Sequence, residues 1–73
     1  MSAPLEFVAP FDKLSKRTKN VLNNERDYLG WCGVVTFKQM EDFIFSTVFF
    51  KVPNFGPIMR KQIVEIYQNS VSV

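Results

Sequence analysis

At 73 residues and 8.5 kDa, the chain can hold one hydrophobic core, because ordinary domains run to about 100–150 residues. Hydrophobic residues make up 47% of it and aromatics 15%, with eight Phe against four Pro and three Gly, a balance that excludes a disordered chain. A single cysteine and no histidine exclude an internal disulfide, a Cys/His zinc site and a His-based catalytic pair, while a net charge of +2 permits nucleic-acid contact without requiring it.

The start Met1-Ser2-Ala3-Pro4 lacks the basic and then apolar run of a leader, and the longest apolar stretch, Phe43 to Phe50, is interrupted by Ser46 and Thr47. The expectation is a reduced, soluble, cytoplasmic protein with no membrane contact. Residues 1–12 hold Pro4 and Pro10 with Leu5, Phe7, Val8 and Phe11 between them. They read as an extended arm whose apolar side chains pack on the domain or on a partner. A single helical domain is expected over 13–69, followed by a frayed tail at 70–73.

Ser15 is placed to cap a helix from about Lys16 to Glu25, with Thr18, Val21 and Leu22 toward the core and Arg17, Asn20 and Asn24 on a polar face. Lys13, Lys16, Arg17 and Lys19 put four cations into seven residues with no acid among them. Cations at a helix N-terminus oppose its dipole, so the cluster points to a partner rather than to the helix. Residues 26–35 read as a loop around Gly30 and Gly33, with Trp31 folded back on the core and Cys32 a small buried hydrophobe. Thr36 and Gln39 fit a capping box that opens a helix containing Met40, Phe43 and Ile44. Phe43 to Phe50 reads as a strand by propensity, or as two short helices if Ser46 or Thr47 caps a second one through Phe49 to Lys51. Val52 to Pro57 forms a tight connection. Pro57 then opens a last helix to about Gln68, with Met59, Ile63, Ile66 and Tyr67 inward and Arg60, Lys61 and Glu65 outward.

Two segments carry a resemblance. Leu14-Ser15-Lys16-Arg17-Thr18-Lys19-Asn20-Val21-Leu22 and Lys51-Val52-Pro53-Asn54-Phe55-Gly56, continued by Ile63-Val64-Glu65-Ile66, occur in the order found in the C-terminal domain of the bacterial RNA polymerase α subunit. The chain resembles that domain over about residues 9–68, as a free-standing copy. The resemblance implies an all-α fold, a compact bundle of four to five short helices with a helix-hairpin-helix element, that binds the minor groove of A/T-rich DNA and docks transcription activators. It further implies that Arg17 enters the groove, Asn20 accompanies it one turn on, and the amide of Gly56 approaches a phosphate. Pro57, Ile58 and Met59 depart from the polar residues that follow the hairpin glycine in the family. Gln62 stands where the family has an acid and Val21 where it often has a cysteine, and the loop before Thr36 is longer by about half a dozen residues.

The first functional expectation is a weak DNA-binding, transcription-associated module. It would use Arg17, Asn20 and Gly56, with Lys13, Lys16, Lys19, Arg60 and Lys61 on flanking phosphates, about three to five contacts in all. The alternative is a protein-interaction module of the same fold that binds RNA polymerase, a transcription factor or itself as a homodimer through a Phe-rich surface. No catalytic residue, cofactor or metal is expected, since the acids are scattered and the adjacent Glu41 and Asp42 do not face each other on a helix.

Overall fold

The hydroxyl of Ser15 accepts the backbone N–H of Thr18 at 3.2 Å and so starts helix α1, Lys16–Asn24, with Leu14 buried ahead of it. The computed structural model in which this is seen describes residues 3–71. Thr18 and Leu22 face the core, as their spacing predicts. The segment expected as a loop is more ordered: a second short helix, α2 (Arg26–Leu29), continues from Glu25 and stops at Gly30. Gly30 takes φ 75°, a left-handed value that a side chain would oppose. Trp31 turns inward and packs edge-on against Phe43, with ring centroids 5.2 Å apart. Cys32, next in the chain, is exposed, which corrects the expectation of a buried thiol. Neighbouring extended residues point to opposite sides, and the larger apolar group takes the core.

The N-terminal arm packs on the domain, the first of the two readings, and contributes Leu5 and Phe11 to its core. Glu6–Phe7 form strand β1, paired in parallel with strand β2, Val34–Val35, in the register Glu6 to Val34 and Phe7 to Val35. The pairing is extended by Glu6 N–H to Gly33 O at 3.0 Å and Val8 N–H to Val35 O at 3.3 Å. Leu5 is buried, and its N–H donates to Asn23 Oδ1 at 2.6 Å. Phe11, at the start of a 3₁₀ turn over Phe11–Lys13, is 0% exposed. Met1 and Ser2 lie outside the described residues.

Helix α3, Phe37–Ile44, opens on the expected capping box: Thr36 Oγ1 accepts from Gln39 N–H at 3.2 Å, and Gln39 Oε1 accepts from Thr36 N–H at 2.9 Å. Thr36→Ala removes one half of this exchange and is expected to cost about 1 kcal/mol, read as a lower urea midpoint at unchanged slope. After α3 the aromatic stretch forms a 3₁₀ turn over Thr47–Phe50, so the two-helix reading holds and the strand does not. Met40 and Phe43, one turn apart on α3, and Phe49 in the 3₁₀ turn enter the core, while Phe45 and Phe50 stay outside.

Trp31, Phe43, Phe49 and Phe55 form one cluster, with centroid distances from Phe43 of 5.2, 5.1 and 6.0 Å. Phe55 anchors the turn before the last helix, and Asn54 is the turn's left-handed residue at φ 60°. Asn tolerates that conformation better than other residues with a side chain. Helix α4 runs Pro57–Val71, longer than the predicted end at Gln68, and takes in Ser70 and Val71 of the expected tail. Ser72 and Val73 of that tail lie outside the described residues. The result is a mostly helical domain of four α-helices and one two-stranded parallel pairing among the described residues, packed on Phe11, Leu22, Val35, Met40 and Ile63. No helix among them is long and apolar enough to cross a membrane.

Candidate nucleic-acid interface

The N-termini of α1 and α4 are held side by side by one side chain. Gln62 Oε1 accepts the Ser15 backbone N–H at 3.2 Å and the Thr18 hydroxyl at 2.9 Å. Thr18 donates its one proton to Gln62, so the Ser15 hydroxyl, 3.0 Å away, must donate to Thr18 Oγ1 while accepting from Thr18 N–H. Thr18 is 2% exposed, so the Thr18 end of these bonds is turned away from water.

Between the two helix starts lies a groove of about 230 Å³. Ser15, Arg17 and Thr18 form one wall, and Gly56, Pro57, Ile58 and Met59 the other, with Gln62 at the base. Arg17 is exposed on an α1 face that also carries Lys16, Asn20 and Asn24, and no acid occurs between Lys13 and Asn24. The facing wall is the first turn of a fifteen-residue helix, where Ile58 and Met59 have backbone N–H groups without intrahelical acceptors and Pro57 has none to offer. Gly56 O accepts from Arg60 N–H at 3.2 Å. Gly56 does not adopt a left-handed φ, and a Cβ built on it would meet nothing within 4 Å, so neither backbone strain nor packing in the chain requires glycine there.

The cations read from the sequence do not converge. Lys16 and Lys61 are exposed and flank the groove on α1 and α4. Lys19 lies on the other side of α1, where its Nζ donates to the Asp12 carbonyl. Lys13 sits with Ile66, Asn69 and Ser70 at the far end of α4. Arg60 is used internally: it donates to Phe55 O at 2.7 Å, and its guanidinium lies over the Phe50 ring at 5.5 Å. These placements put Lys13, Lys19 and Arg60 away from the groove, each beside a carbonyl, a ring or a helix end. Asn20 is exposed one turn beyond Arg17, at the rim of a polar depression it shares with Pro4, Asn23, Asn24 and Arg26.

Two positioning residues escape sequence reasoning. Asn23 ties the arm to α1 by accepting from Leu5 N–H while donating to Lys19 O at 2.9 Å. Gln62 ties α4 to α1 across a separation of 44 residues from Thr18. Neither leaves a local pattern, since its partner is distant in sequence. Tyr67 is away from the groove: its hydroxyl donates to Glu41 Oε2 at 2.6 Å, and that hydrogen bond, ahead of desolvation and the carboxylate's charge, raises its pKa above the usual value near 10. No group of three or more metal-ligating side chains occurs among the described residues. No protein-family model, curated protein or solved structure matches the chain.

Proposed function

We propose that the chain is a small DNA-contacting, transcription-associated module of the kind built on the RNA polymerase α C-terminal domain, with the Val52–Gly56 turn as the hairpin of a helix-hairpin-helix. The observation that carries the reading is the position of Arg17: exposed, on a helix face free of acids, across a groove from the N-terminus of α4. A narrow A/T-rich minor groove concentrates negative potential and attracts an inserted guanidinium, while a helix N-terminus presents amides and positive potential to a phosphate. The glycine at position 56, which the fold itself does not demand, keeps that wall open to close approach. Asn20 follows along the same helix face, and Lys16 and Lys61 supply flanking charge. The role is one of binding and not of catalysis.

With Lys13, Lys19 and Arg60 turned away, two or three phosphate contacts remain, so binding is weak and falls with salt at a log–log slope of about −2 to −3. The test is a fluorescence-anisotropy titration of an A/T-rich duplex and a G/C-rich control at about 50 and 200 mM salt. Wild type should prefer the A/T duplex, and Arg17→Ala should abolish that preference while lowering affinity at least about tenfold. An Arg17→Ala protein that keeps the preference would overturn the assignment.

A second reading rests on Ile58, which is 83% exposed in the same groove. An aliphatic side chain offers nothing to a phosphate, and with Met59 beside it the groove suits an apolar side chain of a protein partner such as RNA polymerase or a transcription factor. Failure of both duplexes to bind at low salt, together with loss of a partner on Ile58→Lys, would favour this reading.

A further inference from the structure

A second surface lies on the flank of α4 opposite the groove. Arg60, Val64, Tyr67 and Val71 follow one another at helical spacing along that flank, whereas Ile58 and Gln62 lie on the groove side. Two rings from outside α4 rest on the stripe: Phe50 beneath the Arg60 guanidinium, and Phe45 edge-on to Tyr67 with centroids 5.6 Å apart. Phe45 is 73% exposed, Phe50 71% and Val71 51%. Neither ring is part of the buried core; Phe50 touches it edge-on through Phe49, centroids 5.3 Å apart, and both rings stand largely open on one flank.

Charge along the stripe names the occupant. At the Phe50 end stand the cations Lys51 and Arg60, and at the Phe45 end stands Glu41, whose carboxylate accepts from Tyr67. The neighbouring Asp42 is already paired with Lys38 at 3.2 Å. Opposite signs at opposite ends, with half-buried Val64 between them, make the surface complementary to itself under a two-fold rotation near Val64.

The geometry points to a second copy of this chain on that flank, in a dimer with the two α4 helices antiparallel, Phe50 of each copy meeting Phe45 of the other, and Lys51 and Arg60 facing Glu41. The proposal stands whether or not the groove binds DNA. If the groove does bind DNA, the dimer leaves both Arg17 faces open, because they lie on the opposite side of α4. The stripe offers only a few exposed side chains, so the dimer should be weak, with a dissociation constant on the order of 10–100 µM.

Sedimentation equilibrium of the full chain without DNA, from about 10 µM to 1 mM, is expected to show a monomer–dimer equilibrium. Phe45→Ser/Phe50→Ser should remain monomeric throughout with an unchanged far-ultraviolet circular dichroism spectrum, since both rings are exposed. Lys51→Glu should weaken association about tenfold, and Lys51→Glu/Glu41→Lys should restore it to within a fewfold of wild type. A monomeric wild type at about 1 mM, a dimer that survives loss of both Phe rings, or association indifferent to Lys51→Glu would each overturn the proposal.

Discussion

A chain that begins at Lys13 is expected not to fold, although the residues it lacks read in sequence as an extended arm that packs on the domain or on a partner. Its deletion removes Leu5 and Phe11 from the core, leaves Val34 and Val35 without their parallel partner, and takes away the backbone N–H that Asn23 binds. The single substitution Phe11→Ala isolates the largest part of this loss. Phe11 is 0% exposed and lies 5.6 Å, ring to ring, from Phe37. Truncating a buried Phe costs about 3–5 kcal/mol, and a core of this size rarely supplies more than about 3–5 kcal/mol in total. Phe11→Ala should therefore be largely unfolded at 25 °C, with lost amide dispersion in NMR spectra and no cooperative thermal transition, whereas Phe45→Ala, at an exposed position, should melt within a few degrees of wild type. A cooperative melt for the chain beginning at Lys13 would show that the arm is dispensable.

Gln62→Leu is expected to destabilise the chain by about 2 kcal/mol and to loosen the groove. The substitution preserves bulk but removes the acceptor of two bonds, from Ser15 N–H and from the Thr18 hydroxyl, and leaves Thr18 only the Ser15 hydroxyl, 3.0 Å away, to donate to. Each hydrogen bond lost contributes about 1 kcal/mol, so the partner substitution decides the mechanism. Thr18→Val removes the donor of one of these bonds, and a double-mutant cycle of Gln62→Leu and Thr18→Val by urea denaturation should give a coupling of about 1 kcal/mol. Gln62→Glu keeps an acceptor and should cost less than Gln62→Leu. If the two variants cost the same, acceptance by residue 62 is not what joins α1 to α4. In the DNA-contact reading, Gln62→Leu should also weaken A/T-duplex binding, because the groove depends on the register of the two helix starts.

The starts of the helices were legible because they rest on short-range chemistry. Ser15, Thr36 and Pro57 each stand within three residues of the groups they satisfy or of the free N–H groups that make them suitable, so their patterns survive in one dimension. The choice of two helical segments over a strand at Phe43 to Phe50 was open in sequence, since aromatic and β-branched composition favours a strand while Ser46 and Thr47 favour a break. Packing resolved it: α3 and the 3₁₀ turn deliver Phe43 and Phe49 to Trp31 and Phe55 in one cluster and leave Phe45 outside, whereas an extended segment would put Phe43, Phe45 and Phe49 on one face together. Of the candidate site, Arg17, Asn20 and Gly56 were legible as positions, but the dispersal of Lys13, Lys19 and Arg60 was not. A cation's address is set by whichever carbonyl, ring or helix end the fold brings near it, and for Arg60 that is Phe55 and Phe50.

By itself, the sequence determined a single mostly helical core with marked helix starts, and a basic first helix without acids, because periodicity, caps and charge density act over a few residues. Only the tertiary structure decided that the arm is core, that Cys32 faces water, that Gln62 joins the two helix starts, and that Phe45 and Phe50 stand open on the far flank of α4. Each of these depends on contacts between residues distant along the chain or on competition among similar side chains for one interior, and neither is written in local spacing.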